Sequence, residues 1–586
     1  MMHLSLEKRF LRTTISLSVL ALLLSAAPAP AAAPDAAEQV TRLADEYVRE
    51  YIARNPEMAT FEGLPDAPDD KLSDNSLEAL AAWQAKEDGW LSRLAAINGA
   101  SLWGRPEWLT YGFLREALEA SKGMRIARTE LWPVNQMSGW QAGLAQLASI
   151  QPVGTPAARQ KALARFGRVP RYLETEIVNL KEGLRLGYST PKQNVELTLV
   201  QLDTLLETPV GDSPFFLPAK RDGDAGFRAE WERLLKEEIT PAVRRYRDFL
   251  KNEYLPKART SISISALPNG AEAYRALFRS MASLDRPAEE TYRLGEKAVA
   301  RNEAEAAEIG RKLFKVQDLE TVKKKMQEDP GNGFRTREEL LDFTKEAIER
   351  ARRAMPDWVE YMPKADVVVE PIPGYLEKTA SSGYQSGALD GSRPGVYMIN
   401  LYKPEEQSRA QVELTAYHET YPGHHFQISV SAELPRPHLI TRLVASGGYI
   451  EGWARYAEAL SEEMGLITSD IARINRRMWP AHGMVVDPGL HVLGWTKERA
   501  VAYVMATGRF SPHEAESLVD RIIAWPAQLT TYDTGGLEFF ALREKAEKAL
   551  GPKFDIRAFH SEILRYGAVT LPMLREIVDR WIADRK

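Results

Sequence analysis

Residues 417–427 read YHETYPGHHFQ and bring a His-Glu pair and two further histidines into eight positions. The sequence contains nine histidines; one is His3, and the other eight lie from His418 onward. In zinc hydrolases, a His-Glu pair and a later His on a helix supply two neutral imidazole ligands, and the Glu takes a proton from the attacking water. The stretch therefore predicts a zinc-binding helix at His418, with Glu419 as the general base.

The spacing of these histidines departs from the common H-E-x-x-H form, because the fourth position after His418 is Pro422. On an ideal helix, His424 lies about 240° around the axis from His418, while His425 returns to nearly the same face about 10.5 Å further along. Pro422 and Gly423 both disfavour a regular helix. We predict that they bulge out and turn His424 towards the first ligand, with His425 as the alternative. The other interpretation is a helix that ends at Tyr421 and a chance cluster of solvated histidines.

A carboxylate that could complete the ligand set follows in residues 448–458, which have the pattern of a second helix. With two histidines, Glu451 would leave Zn²⁺ one open position, as catalytic zinc sites require. Glu458 lies two turns later on the same face and could orient an imidazole. Helical Glu is usually a surface residue, but the apolar neighbours Ile450 and Trp453 favour Glu451 as a ligand.

Two later segments contain groups that could stabilise a developing oxyanion. Residues 487–491 end in His491, and residues 525–532 end in Tyr532. A buried histidine or tyrosine with a structural role is the alternative for each. We predict that Tyr532 or His491 stabilises the oxyanion.

Strand-like segments are few, and they are residues 262–265, 367–370 and 395–401. The third is followed by Pro404-Glu405-Glu406, which predicts the start of the metal-binding helix. In helical zinc peptidases such a strand lines the cleft and can pair with an extended peptide. Tyr397 and Asn400 are therefore candidate substrate contacts, with an ordinary edge strand as the alternative.

Helical periodicity dominates the rest of the chain, as in residues 35–55 and 76–97. No linker, repeat or low-complexity tract interrupts it. We predict a mainly α fold, with a large two-lobed multi-helical body and a small β-sheet edge beside the metal-binding helix. The N-terminal helical lobe would span residues 34–365, and the catalytic lobe residues 366–586.

Residues 1–33 are typical of a secretory signal peptide. Three basic residues precede the apolar run 13–27, and small residues at 29–31 offer a cleavage site. The run is shorter than the about 20 residues that span a bilayer. The sequence contains no cysteine, hence no lipid-anchor cysteine and no disulfide. We predict a periplasmic or secreted protein that is not inserted in a membrane after the signal is removed.

The formal net charge of the chain is −5. Residues 1–31 carry a net +2, so the mature protein would carry −7. This charge favours solubility and argues against nucleic acid as a partner.

The chain resembles the bacterial domain-of-unknown-function 885 family over nearly all of residues 35–586. In chain order, the shared segments are 55–57 with Gly63, 213–215, 267–270 with Tyr274, 390–395 leading to Asn400, 418–419, 422–425, 451–454, 489–491 with Trp495, and 526–532. The chain departs from the family in lacking the lipid-anchor cysteine of many relatives, and at Pro488 and Asp533. The resemblance implies an exported protein with a mostly helical fold akin to zinc peptidases that use a Glu as third ligand.

These observations together predict an exported zinc-dependent metallopeptidase that acts on a peptide substrate. Zn²⁺ would be bound by His418, His424 and Glu451. The alternatives are a zinc amidase or esterase with a non-peptide substrate, and a metal- or peptide-binding periplasmic protein without catalytic activity.

Overall fold

The computed structural model describes residues 35–586 except 65, 317, 373, 375–376, 378–380, 388–393 and 436–437. The predicted signal peptide, residues 1–33, lies outside this part of the chain, as does most of the family-like segment 390–395.

The fold is mainly α-helical, as the sequence predicts. The helices before the sheet are α1 (Ala36–Arg54), α2 (Pro56–Phe61), α3 (Leu77–Ala95), α4 (Glu107–Met124), α5 (Trp140–Ile150), α6 (Pro156–Phe166), α7 (Val169–Leu186), α8 (Lys192–Glu207), α9 (Leu217–Arg221), α10 (Ala225–Leu234), α11 (Thr240–Phe249), α12 (Gly270–Ala282), α13 (Ala288–Phe314), α14 (Leu319–Gln327) and α15 (Arg337–Ala354).

A small sheet follows, formed by β1 (Val367–Pro371), β2 (Gly383–Gln385) and β3 (Gly395–Ile399). The strand order is β1-β3-β2, with β1 parallel and β2 antiparallel to β3. The predicted strand 395–401 is therefore the middle strand, and its main chain is hydrogen-bonded on both sides. The interpretation that this strand pairs with a peptide is wrong, because no edge of β3 is left for it.

The predicted strand at residues 262–265 does not form; residues 264–266 make a turn of 3₁₀ helix instead. The hydroxyls of Ser263 and Ser265 each donate a hydrogen bond of 2.6 Å to the carbonyl oxygen of His491. Such bonds from serine side chains compete with strand pairing.

The helices after the sheet are α16 (Arg409–Glu419), α17 (His424–Glu433), α18 (Ile440–Leu443), α19 (Gly447–Glu463), α20 (Asp470–Arg477), α21 (Gly483–His491), α22 (Lys497–Met505), α23 (Pro512–Ala524), α24 (Thr530–Leu550), α25 (Ile556–Leu564) and α26 (Leu571–Arg585). The predicted start of the metal-binding helix at Pro404 is wrong, since residues 404–406 form only a 3₁₀ turn. Helix α16 begins after Ser408, whose side chain accepts from the Gln411 N–H as an N-cap.

The largest hydrophobic cluster joins residues from both sides of the predicted lobe boundary, from Ala37 to Ile582. A second cluster lies within residues 134–258. Residues 36–586 form one unit by their contacts, and the division into lobes at residue 365 stays a prediction. Among the described residues, the helices include none with the length and hydropathy that a bilayer span requires.

Helices α19 and α24 approach each other at glycines. A Cβ atom added to Gly452 of α19 would lie 2.5 Å from the Cα of Gly535 of α24, which no side chain could tolerate. Glycine allows the two backbones to pack at this distance. The approach joins the helix that carries Glu451 to the helix that begins at Thr530 and carries Tyr532.

A carboxyl group is buried away from these helices, at Glu176 of α7. It is 5% exposed, and its Oε1 accepts a hydrogen bond of 2.6 Å from the Tyr246 hydroxyl of α11. Burial raises the pKa of Glu176 to about 7, against a smaller opposite effect of the Tyr246 bond. The folded state therefore holds the proton of Glu176 more tightly than the unfolded chain does.

We expect Glu176→Gln to remove a pH-dependent loss of stability. Because the pKa is about 7 when folded and 4.5 as the reference value, the parent's free energy of unfolding falls as pH rises through this window, by at most about 1.4 kcal/mol per pH unit. Gln keeps the acceptor for Tyr246 and does not ionise. In urea unfolding between about pH 5 and 8, the free energy of unfolding of the variant relative to the parent should increase with pH up to about pH 7. A difference that does not vary with pH would contradict this.

Candidate metal centre

Three side chains from three helices meet where the sequence predicts zinc ligands. Each of His418, His424 and Glu451 contributes one possible ligand atom, and these three atoms lie within 4.8 Å of one another. Oε2 of Glu451 is 3.5 Å from Nε2 of His424 and 3.9 Å from Nε2 of His418. The two imidazole rings are nearly perpendicular, with centroids 4.7 Å apart.

The chain leaves helical geometry between the two histidines. Helix α16 ends at Glu419 and α17 begins at His424, so residues 420–423 form a connection between two helices. As predicted, the residues around Pro422 and Gly423 leave helical geometry and His424 lies beside His418, but the departure is a break between two helices. Pro422 lacks an N–H and its ring clashes with a preceding helical turn, and the break that follows places His424 beside His418.

The connection is held by the residues around it. The Gly423 N–H donates to the Tyr417 carbonyl at 3.0 Å, and Nε1 of Trp453 donates to the Pro422 carbonyl at 2.9 Å. A Cβ on Gly423 would overlap the carbonyl of His418 and lie 2.5 Å from the Tyr417 oxygen. The glycine therefore permits a close backbone approach that sets the position of α17.

We expect Gly423→Ala to weaken zinc binding although it removes no ligand. The added methyl must push the His418 carbonyl away, and His424, the next residue, must move with it. A fall in zinc affinity of about 10- to 100-fold is expected, comparable to the loss of outer-shell support. Gly143→Ala is the matched control, because a Cβ there meets nothing within 4 Å. Competition with a chromogenic zinc chelator measures the affinity, and equal values for both variants would contradict the expectation.

His425, the alternative ligand, lies in a different environment. Its Nδ1 is 3.0 Å from the Tyr384 hydroxyl, and its Nε2 is 3.1 Å from the Tyr421 hydroxyl. It is fully buried, and burial lowers its pKa to about 4. The geometry thus favours His424 over His425 as the second imidazole of the centre.

Glu458 contacts the first imidazole from behind, as the sequence suggests. Its Oε1 is 2.8 Å from Nδ1 of His418, which directs Nε2 towards the other two groups. Burial acts to raise the pKa of Glu458, but Arg455 and His418 lower it to about 2. A carboxylate in this position fixes the tautomer and orientation of a ligating histidine.

Arg455 and Asp533 extend this contact, and sequence reasoning missed their role. Nη1 of Arg455 donates to both oxygens of Glu458 at 2.9 and 2.8 Å, and its Nε is 2.9 Å from Oδ1 of Asp533. Arg455 lies one turn from both Glu451 and Glu458 on α19, a spacing that could have revealed it. Asp533 comes from α24 and has no comparable local signal.

The residues present fit a zinc ion. Oε2 of Glu451 is buried and has no hydrogen-bond partner among the described residues, although a buried acceptor normally has one. Two imidazoles and one carboxylate are a ligand set of catalytic zinc sites. Among the described residues, His418, His424 and Glu451 therefore form a possible set of metal ligands, and the Glu451 Oε2 atom in this set lacks a hydrogen-bond partner.

Glu419 lies next to the centre and is held by the sheet. Its Oε2 accepts a hydrogen bond of 3.0 Å from the Tyr384 N–H of β2. The side chain is partly exposed, and it is not one of the three clustered groups. Sequence reasoning missed Tyr384, because the short strand β2 has no distinctive pattern.

Tyr532 is the predicted oxyanion group that the structure brings to the centre. Its ring lies 6.3 Å from the ring of His418, at an angle of 24°. Nη2 of Arg521 donates to its hydroxyl at 3.2 Å. Burial and the charge of Glu451 raise the pKa of Tyr532, and Arg521 opposes them. Tyr532 is therefore protonated near neutral pH.

His491, the other predicted oxyanion group, is fully buried and bonded to the main chain. Its Nε2 lies 2.9 Å from the Ile522 carbonyl, and its Nδ1 accepts from the Ile264 N–H at 3.4 Å. Burial lowers its pKa to about 4. These contacts give His491 a structural role that connects three segments, so Tyr532 is the better candidate for the oxyanion.

The candidate substrate contacts also have structural partners. Tyr397 is 1% exposed and belongs to the main hydrophobic cluster. The Asn400 side chain donates to the Glu377 carbonyl at 2.7 Å and accepts from the Tyr402 N–H at 2.8 Å. Neither environment favours a substrate contact, because the Tyr397 side chain is buried and the Asn400 side chain is hydrogen-bonded within its own loop.

Comparison with known proteins gives one family and one fold. A family described as "Bacterial protein of unknown function (DUF885)" matches residues 56–578. No curated protein matches the chain.

Two solved structures share the fold. The crystal structure of a "putative lipoprotein" from Colwellia psychrerythraea aligns with a TM-score of 0.86 at 22% identity, covering 94% of this chain and all of that one. A "putative lipoprotein of unknown function" from Shewanella oneidensis aligns with a TM-score of 0.73 at 21% identity, covering 92% of this chain and 99% of that one.

Proposed function

The chain belongs to the bacterial DUF885 family of proteins of unknown function, and on the geometry of its metal centre we propose that it is a zinc-dependent hydrolase that cleaves peptide bonds. The observation that carries the proposal is the group of His418, His424 and Glu451, whose ligand atoms lie within 4.8 Å. Glu419 follows the first of these residues directly. This combination is what zinc-assisted hydrolysis needs: a ligand set with one open position and a carboxylate base.

When bound by these three residues, Zn²⁺ would polarise the scissile carbonyl and make water a better nucleophile. Glu458 keeps His418 in the tautomer whose Nε2 is available to the metal. Arg455, paired with Glu458 and Asp533, offsets part of the negative charge behind the centre.

Glu419 is the general base in this mechanism. Its Oε2 is oriented by the Tyr384 N–H, and the residue is partly exposed. The carboxylate takes a proton from the attacking water and then donates it to the leaving nitrogen. Such positioned proton transfer contributes about 10²–10⁴-fold.

Tyr532 stabilises the oxyanion that develops on the carbonyl oxygen. Arg521 donates to the oxygen of the Tyr532 hydroxyl, so the tyrosine retains its own proton for donation to substrate. Donors placed for a developing oxyanion contribute about 10²–10³-fold. The tyrosine ring beside His418 supports this role.

The protein acts outside the cytoplasm in this proposal. The basic, apolar and small-residue pattern of residues 1–33 supports export. Both structural neighbours are described as putative lipoproteins, which also supports an exported location. With no cysteine in the chain, a periplasmic or secreted protein is the form we propose.

Metal removal tests the function. We expect the purified protein to cleave members of a peptide library, to lose this activity after dialysis against a zinc chelator, and to regain it when one equivalent of Zn²⁺ is added. Simple esters are assayed beside the peptides. Cleavage of esters alone would replace the peptidase by an esterase, and zinc binding without any turnover would favour a binding protein.

A further inference from the structure

Arg521 places a positive charge beside the metal centre. Its Nη2 donates to Oε1 of Gln528 at 2.7 Å and to the Tyr532 hydroxyl at 3.2 Å. Both partners are uncharged, and no carboxylate of the described residues lies within 4.0 Å of the guanidinium. The Arg521 residue is partly exposed.

The position of Arg521 relative to the reaction centre follows from Tyr532. The tyrosine ring is 6.3 Å from His418, and Arg521 binds the hydroxyl at the end of that ring. The charge of Arg521 also acts on Glu451. Arg521 thus lies just beyond the group proposed to contact the scissile carbonyl. A peptide carboxylate lies one or two residue lengths from the bond to be cut, each about 3.5 Å.

Two other arginines near the centre differ from Arg521 in their contacts. Arg455 has ion pairs with Glu458 and Asp533. The charge of Arg509 acts on the same two carboxylates. Of these three arginines, Arg521 donates the hydrogen bond to the Tyr532 hydroxyl, which places its charge next to the proposed oxyanion group.

We infer that Arg521 binds the free α-carboxylate of a peptide substrate, and that the enzyme removes a C-terminal residue or dipeptide. The inference rests on the peptidase function proposed above. Guanidinium groups bind carboxylates through paired, charge-assisted hydrogen bonds. Water adds across the scissile C–N bond, giving a shortened peptide with a new carboxylate and a released amino acid or dipeptide.

The test compares a short peptide with a free C-terminus and the same peptide with a C-terminal amide. We expect the parent's kcat/KM to be roughly 10- to 100-fold higher for the free acid, the worth of a hydrogen bond to a charged group. Arg521→Gln should bring the ratio of the two rates close to one, and Arg521→Lys should keep part of it. Arg499→Gln is the control, because this exposed arginine stacks on Trp495 of the neighbouring segment.

A binding measurement separates this inference from the proposed function. In zinc-loaded Glu419→Gln protein, calorimetry should show tighter binding of the acid than of the amide, and Arg521→Gln in that background should abolish the difference. If the parent cleaves neither peptide, the peptidase function is wrong and the binding ratio alone decides the role of Arg521. The inference would be overturned if the parent had equal kcat/KM values and equal affinities for the acid and the amide. It would also be overturned if the preference for the acid persisted in Arg521→Gln.

Discussion

Glu419→Gln should lose peptide cleavage by at least about 10²–10⁴-fold while the protein keeps its zinc. Glu419 is not one of the three clustered ligands, so the metal site is left intact. Gln can still accept the hydrogen bond of the Tyr384 N–H, so the side chain stays in place. Its amide cannot take a proton from water at neutral pH, which removes the base alone.

The experiment measures kcat on a peptide substrate and zinc content on the same preparations. Glu405→Gln is the control, because it makes the same change at an exposed residue of the 3₁₀ turn before α16. If Glu419→Gln cleaves peptides as fast as the parent, the mechanism is wrong. If it loses zinc together with activity, Glu419 is a ligand and not the base.

His418→Ala and His424→Ala should each lose the zinc that the parent binds at one ion per chain. Either substitution leaves one imidazole and one carboxylate, too few to hold the ion against dialysis. We expect the zinc affinity to fall by more than about 100-fold, because mutation of a residue that only hydrogen-bonds to a ligand already lowers metal affinity by about 10- to 100-fold. Elemental analysis after exhaustive dialysis measures the zinc content.

His425→Gln is the matched control for this pair. Its imidazole is bonded to tyrosine hydroxyls instead of facing the cluster, and Gln can replace those bonds, so the variant should keep its zinc. Loss of zinc in this variant with retention in His424→Ala would exchange the two residues as ligands. Full zinc retention in both His418→Ala and Glu451→Ala would remove the ligand assignment.

The predominance of helices and the family could be predicted from the sequence, because both depend on local or ordered patterns. Apolar spacing of 3.6 residues predicts helices such as α1 and α3, and their observed bounds differ from the prediction by two residues or fewer. The strand predicted at 262–265 fails for a non-local reason: the serine hydroxyls there bond to His491, more than 220 residues away. A short apolar-polar alternation carries no information about such a partner.

The chemical groups of the candidate site follow from local sequence patterns: a His-Glu pair, a proline and glycine that interrupt the helix, and a Glu on a later helix. Their arrangement in space depends on how the helices pack. The tertiary structure placed His424 beside Glu451, enclosed His425 among tyrosines, and brought Asp533 to Arg455. The reason is physical: helix caps and breaks depend on neighbours within a few residues, whereas the partner of a buried polar group depends on which helices pack together. Here, Gly452 and Gly535 allow α19 and α24 to pack closely.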